Sequence, residues 1–91
     1  MRLEQLSSFL EVAKHSSLAS ASRNLHMTQQ ALSASIKNME TELGVTLLRR
    51  SSRGVALTSE GRQLLAFAAD VIPRYRELTA GFTSASGDCL R

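Results

Sequence analysis

Residues Ser17–Gly44, SLASASRNLHMTQQALSASIKNMETELG, read as two helices joined by a tight turn. In the second helix Leu32, Ile36, Met39 and Leu43 recur at intervals of four, three and four, the stripe that a helix buries. The opposite face carries Gln30, Ser33, Ala34 and Lys37, small or basic, free of acids, and short enough to approach nucleic-acid bases. Gln and Ser near a helix N-terminus suit hydrogen bonding to base edges in a major groove, and Lys suits phosphate. Thr28 is a good N-cap for this helix, and Gly44 stops it as a left-handed C-cap. The shorter helix before it is capped by Ser16 or Ser17 and runs to about Leu25 on Ala19, Ala21 and Leu25. His26-Met27 makes the turn.

Upstream, Leu3, Leu6, Leu10 and Ala13, widened by Phe9 and Val12, predict a first helix from about Leu3 to His15. Downstream of Gly44 the period changes. Val45–Leu48 and Val55–Leu57 are short strand-like runs, and they flank a basic tip, Arg49-Arg50-Ser51-Ser52-Arg53-Gly54. A small β-hairpin is expected. Thr58 then caps a fourth helix, in which Gly61, Leu64, Ala68, Val71, Tyr75 and Leu78 alternate at three and four. That seam suits pairing with another copy, although it also suits packing on the first helix of its own chain. Pro73 should kink or end the helix unless the lost hydrogen bond is tolerated. The stretch from Thr79 is small, polar and Gly-containing, and residues 81–91 are expected to be a mobile tail.

The chain has 91 residues, enough for one small domain, and 43% of them are hydrophobic while 4% are aromatic. Such a core is marginal, so burial in a dimer would support it. The net charge of +3 is unevenly placed: seven Lys and Arg face four acids from Met1 to Thr58, and four face four beyond it. A polyanionic partner accounts for that asymmetry. No apolar run approaches the roughly 20 residues that span a bilayer, which argues against a membrane partner. Cys89 is the single cysteine, so no internal disulfide forms and a reducing cytoplasm is the simplest setting. His15 and His26 lack partners at ligand spacing, so neither a metal nor another cofactor is expected. No Gly-rich phosphate loop or nucleophile–base pair appears, which sets an enzyme aside.

Helix, helix-turn-helix, basic hairpin and long helix follow one another in the order of a bacterial regulator family. The sequence resembles the DNA-binding domain of LysR-type transcriptional regulators. The resemblance rests on Leu6, Phe9 and Val12, on Ser17-Leu18 to Leu25, and on Thr28-Gln29-Gln30-Ala31-Leu32-Ser33. It continues through Ile36, Glu40, Leu43-Gly44, Leu47, Arg50 and Arg53 to Leu57-Thr58-Ser59-Glu60-Gly61, without a gap. The sequence departs from the family pattern at Ala19, Ala34 and Leu48, where members often carry Thr, Arg and Phe. Ala34 removes a base or phosphate contact, which leaves the target sequence open.

The resemblance implies a mainly α winged helix-turn-helix over residues 1–58, with a three-helix core, the helix-turn-helix at about 18–37 and the wing at about 45–58. A linker and dimerisation helix follows over 59–80. It further implies binding of double-stranded DNA as a homodimer on an inverted repeat, with higher oligomers in full-length members. Thr28, Gln29, Gln30, Ser33, Ala34 and Lys37 would lie in or beside the major groove. Arg50 and Arg53 would hold phosphate or an adjacent minor groove, with Arg23 and Ser17 on the backbone. Leu64, Ala68, Val71, Tyr75 and Leu78 would form the dimer seam. A small-molecule effector would act only through a C-terminal domain missing here, so the chain reads as part of a longer protein. The competing reading is a winged helix that docks a protein partner without DNA. The acid-free face and arginine-rich tip count against it.

Overall fold

The computed structural model describes residues 1–86. It contains α1 (Leu3–His15), α2 (Leu18–Leu25), α3 (Gln29–Leu43), β1 (Leu48–Ser51), β2 (Gly54–Leu57) and α4 (Ser59–Ser86). Local chemistry sets most of these limits. The Ser17 hydroxyl accepts from the Ser20 amide at 3.2 Å to open α2, and the Thr28 hydroxyl accepts from Ala31 at 3.0 Å to open α3. Ser16 (φ 56°), His26 (φ 58°) and Gly44 (φ 73°) end the three helices in the left-handed conformation. Of the two serines before α2, Ser17 is therefore its cap, and Ser16 closes α1.

The core is one cluster. Leu6, Phe9 and Val12 of α1 meet Ala21 of α2, Leu32, Ile36 and Met39 of α3, and Ala68 and Ile72 of α4. Helix α1 is the hub, packed against each of the other three. Full burial of each large side chain contributes roughly 1.5–3 kcal/mol. Leu43, expected in this stripe, is instead 42% exposed, because the last turn of α3 projects past the core.

The hairpin forms, with shifted limits. Leu48 pairs with Leu57, Arg49 with Ala56, Arg50 with Val55 and Ser51 with Gly54, which leaves a two-residue turn, Ser52-Arg53. Arg49 and Arg50 are thus strand residues rather than tip. The approach to β1 is fixed instead by Glu40 of α3, whose Oε2 accepts the amides of Leu47 at 2.8 Å and Leu48 at 3.2 Å. At the other end of the wing, the Val55 amide donates to the Ser16 carbonyl at 3.3 Å. Gly54 (φ 123°) sits so close that a Cβ there would fall 2.7 Å from the same oxygen. Both ends of the hairpin are pinned to the helical body.

Helix α4 opens under Thr58, whose buried hydroxyl accepts the Gly61 amide at 2.9 Å and donates toward Thr46 and Leu47 carbonyls at 2.5 and 3.2 Å. Its 28 residues run unbroken through Pro73, so the proline does not end the helix. They continue to Ser86, beyond the expected limit near residue 80. The remainder of the expected tail, residues 87–91 with Cys89, lies outside the described residues.

Candidate nucleic-acid interface

The first turn of α3 and the wing converge on one exposed surface. Gln29, Gln30, Ser33 and Arg50 line a shallow concavity with Leu18, and a second depression beside it joins Gln29 and Arg50 to Ser17, Ala19, Ser51 and Ser52. Gln29 and Arg50 belong to both. Within the site, the Arg50 Nη1 donates to the Ser33 Oγ at 2.7 Å. Thr28 is exposed, and although its oxygen caps α3, its proton remains available to an acceptor such as phosphate. The α3 N-terminus adds unpaired amides and positive dipole at the same place.

The other expected residues lie around this centre. Lys37 is exposed two turns along α3. Ala34 is exposed on the flank of α3, where it lines a separate depression with Arg2, Gln5, Ser8 and Asn38. Arg53 stands in the wing's turn, and Arg23 is exposed on α2, where it donates to Ser20 Oγ at 3.4 Å. Among the described residues, Arg23, Lys37, Arg49, Arg50 and Arg53 form no ion pair, and neither do Arg62 and Arg76 of α4, whereas Arg2, Lys14 and Arg74 pair with Glu4, Glu11 and Asp70.

Sequence reasoning missed Glu40 and Gly54 as the residues that seat the wing. The Gly54 signal was readable as a glycine in a strand, which marks a close backbone approach. The seam of α4 also divides. Ala68 is fully buried in the chain's own core and Leu64 is half-buried against it, while a Cβ on Gly61 would meet the Leu47 carbonyl. The apolar residues left outward are Phe67, Tyr75, Leu78 and Phe82, each about half exposed, with Val71 between them. Phe67 and Phe82 were not anticipated.

The model of the family described as bacterial regulatory helix-turn-helix protein, lysR family, matches residues 3–62. The chain belongs to this family. The HTH-type transcriptional regulator AlsR of Bacillus subtilis (strain 168) is 46% identical over 65 residues, covering 71% of this chain and 22% of that protein. The RuBisCO operon transcriptional regulator of Allochromatium vinosum is 33% identical over 85 residues, covering 93% of this chain and 28% of the relative. Among solved structures, the complex of the BenM DNA-binding domain with catB site 1 DNA matches with a TM-score of 0.90 at 31% identity. That match covers 96% of this chain and 98% of the other. The lysR-type fold therefore accounts for nearly the whole chain, which spans only 22% and 28% of the length of these two curated relatives. Among the described residues, no helix is long and apolar enough to cross a membrane.

Proposed function

We propose that this domain binds double-stranded DNA sequence-specifically, as one half of a homodimer on an inverted repeat, and so directs a transcriptional regulator to its operator. In this reading α3 enters the major groove by its N-terminal turn. Gln29 and Gln30 each suit a bidentate contact with adenine, a contact that discriminates by about 1–3 kcal/mol. Ser33 continues the row, and Lys37, Arg23, Ser17 and Thr28 hold the backbone. Arg53, at the wing's turn, suits the neighbouring minor groove, whose potential is most negative where it is narrow. The observation that carries this reading is the wing residue Arg50, without an ion pair, in one depression with the exposed Gln29 and Gln30 at the N-terminus of α3. The solved likeness to a domain in complex with DNA supports it.

Dimerisation is assigned to the outward residues of α4, Phe67, Tyr75, Leu78 and Phe82, with the half-buried Val71 at their inner edge, rather than to the whole seam from Leu64 to Leu78. Phe, Tyr and Leu at helical spacing on an otherwise polar surface suit a helix partner of like kind. Effector sensing is assigned to the length of the full regulator beyond this domain.

The test is fluorescence anisotropy with labelled duplex across a salt series. With Arg23, Lys37, Arg50 and Arg53 each neutralising one phosphate, log K falls with log salt at a slope of roughly −3 to −4 per protomer. Binding that does not weaken with salt would exclude the phosphate contacts.

A further inference from the structure

We propose that Ser33 is a positioning residue for Arg50, holding this wing arginine inside the footprint of the recognition helix so that the two elements read DNA as one unit. Arg53, in the wing's turn, then lies outside that footprint. The inference deepens the DNA-binding reading and rests on it.

The geometry begins with the pleat. Successive strand residues face opposite sides, so Arg50 shares a face with Leu48, and Arg49 takes the other. Leu48 is buried, and the cross-strand partners on its face, Leu57 and Val55, are half-buried, whereas Ala56, opposite Arg49, is exposed. Arg50 therefore leaves the strand toward the helical body, and Arg49 leaves it toward solvent. The backbone that carries Arg50 is held on both sides: Glu40 grips the amides of Leu47 and Leu48, and Ser16 receives the Val55 amide opposite Arg50. What remains free is the long side chain, and Ser33 fixes its end through the 2.7 Å bond. The guanidinium then lies beside Gln29 and Gln30 in the concavity.

Two consequences follow for binding. An arginine ordered before DNA arrives does not have to be ordered on contact, which lowers the cost of association. The Ser33 oxygen, while accepting from Arg50, keeps its own proton to donate to a base or phosphate acceptor, and a cationic donor strengthens that second bond. Loss of either partner should thus impair the other's contact.

The experiment is a double-mutant cycle with the whole chain, using the duplex that the unaltered domain enriches from a randomised pool. The variants are Ser33→Ala, Arg50→Ala, the double substitution, and Ser33→Thr, which keeps the hydroxyl. Ser33→Ala weakens binding about three- to tenfold, the range for one hydrogen bond of ordinary net strength. With Arg50 already replaced, the same change costs at least about twofold less than it does beside Arg50, and Ser33→Thr, which keeps the hydroxyl, restores most of the affinity that Ser33→Ala loses. Single-base variants of the duplex place the preferences lost in Arg50→Ala among those lost in Ser33→Ala, and apart from those lost in Arg53→Ala. Melting curves identify any variant whose loss is one of folding. Additive losses in the cycle, with DNA binding intact, would overturn the positioning role alone. A domain that enriches no duplex and binds without salt dependence would overturn the DNA reading beneath it.

Discussion

Replacing Gly61 with alanine sets two effects against each other in the first turn of α4. Helix propensity favours Ala over Gly by about 0.8–1.0 kcal/mol at an interior position, and less at a helix start. The structure opposes this gain, because a Cβ at Gly61 would lie 2.2 Å from the Leu47 carbonyl oxygen and 3.2 Å from Leu57 Cδ2. An ordinary contact requires that oxygen to retreat by roughly 1 Å. It is not free to do so, since it accepts the Thr58 amide at 3.0 Å and the Thr58 hydroxyl at 3.2 Å. Overpacking of this kind costs about 1–3 kcal/mol, and weakening either bond adds to it. The clash wins, with a net loss of about 2 kcal/mol, or roughly 8–16 °C in the melting midpoint of a domain this size. Circular dichroism melts at one fixed protein concentration measure it, since dimerisation makes the midpoint depend on concentration. Gly81→Ala is the control: the same helix, nothing within 4 Å of the added carbon, and a stabilisation of up to about 1 kcal/mol. If Gly61→Ala melted at or above the unaltered domain, the close approach between α4 and the wing would be refuted.

Further outcomes follow from the same packing. Thr58→Ala removes an N-cap and the donor to the Thr46 and Leu47 carbonyls, so urea unfolding should register a loss of about 1–3 kcal/mol. Leu32→Ala, at a fully buried site, should cost about 2–5 kcal/mol, whereas Leu43→Ala, at 42% exposure, should cost under about 1 kcal/mol in the same assay. Pro73→Ala restores a backbone donor inside α4 and should raise stability by about 1–3 kcal/mol, with a gain in far-ultraviolet helicity.

The helical part of the fold was legible because its signals are local. Ser17, Thr28 and Gly44 mark helix limits through bonds that span three or four residues, and the structure places all three as expected. The wing was legible in kind but not in register. Its start is set by the Glu40 carboxylate, seven and eight residues away on another element, a contact that no strand pattern encodes. The stripe of α3 runs one turn too far, since the periodicity continues to Leu43 although the structure leaves that residue 42% exposed. On α4, spacing at three and four identified apolar positions but not which of them face the chain's own α1, so Ala68 was read outward and Phe67 was passed over. For the candidate interface, a set of residues can be proposed from the sequence but not their arrangement. That Arg50 returns to Ser33 depends on the inward side of β1, which becomes visible only once Leu48 is seen in the core.

The most direct measurement of the central claim is the affinity of Gln29→Ala for the enriched duplex and for its single-base variants. Gln29 is exposed at the first position of α3 and lines both depressions of the interface. If α3 reads bases through its first turn, discrimination falls by about 1–3 kcal/mol at one position of each half-site, and the salt slope is unchanged. Equal weakening on every duplex, with all base preferences retained, would contradict it.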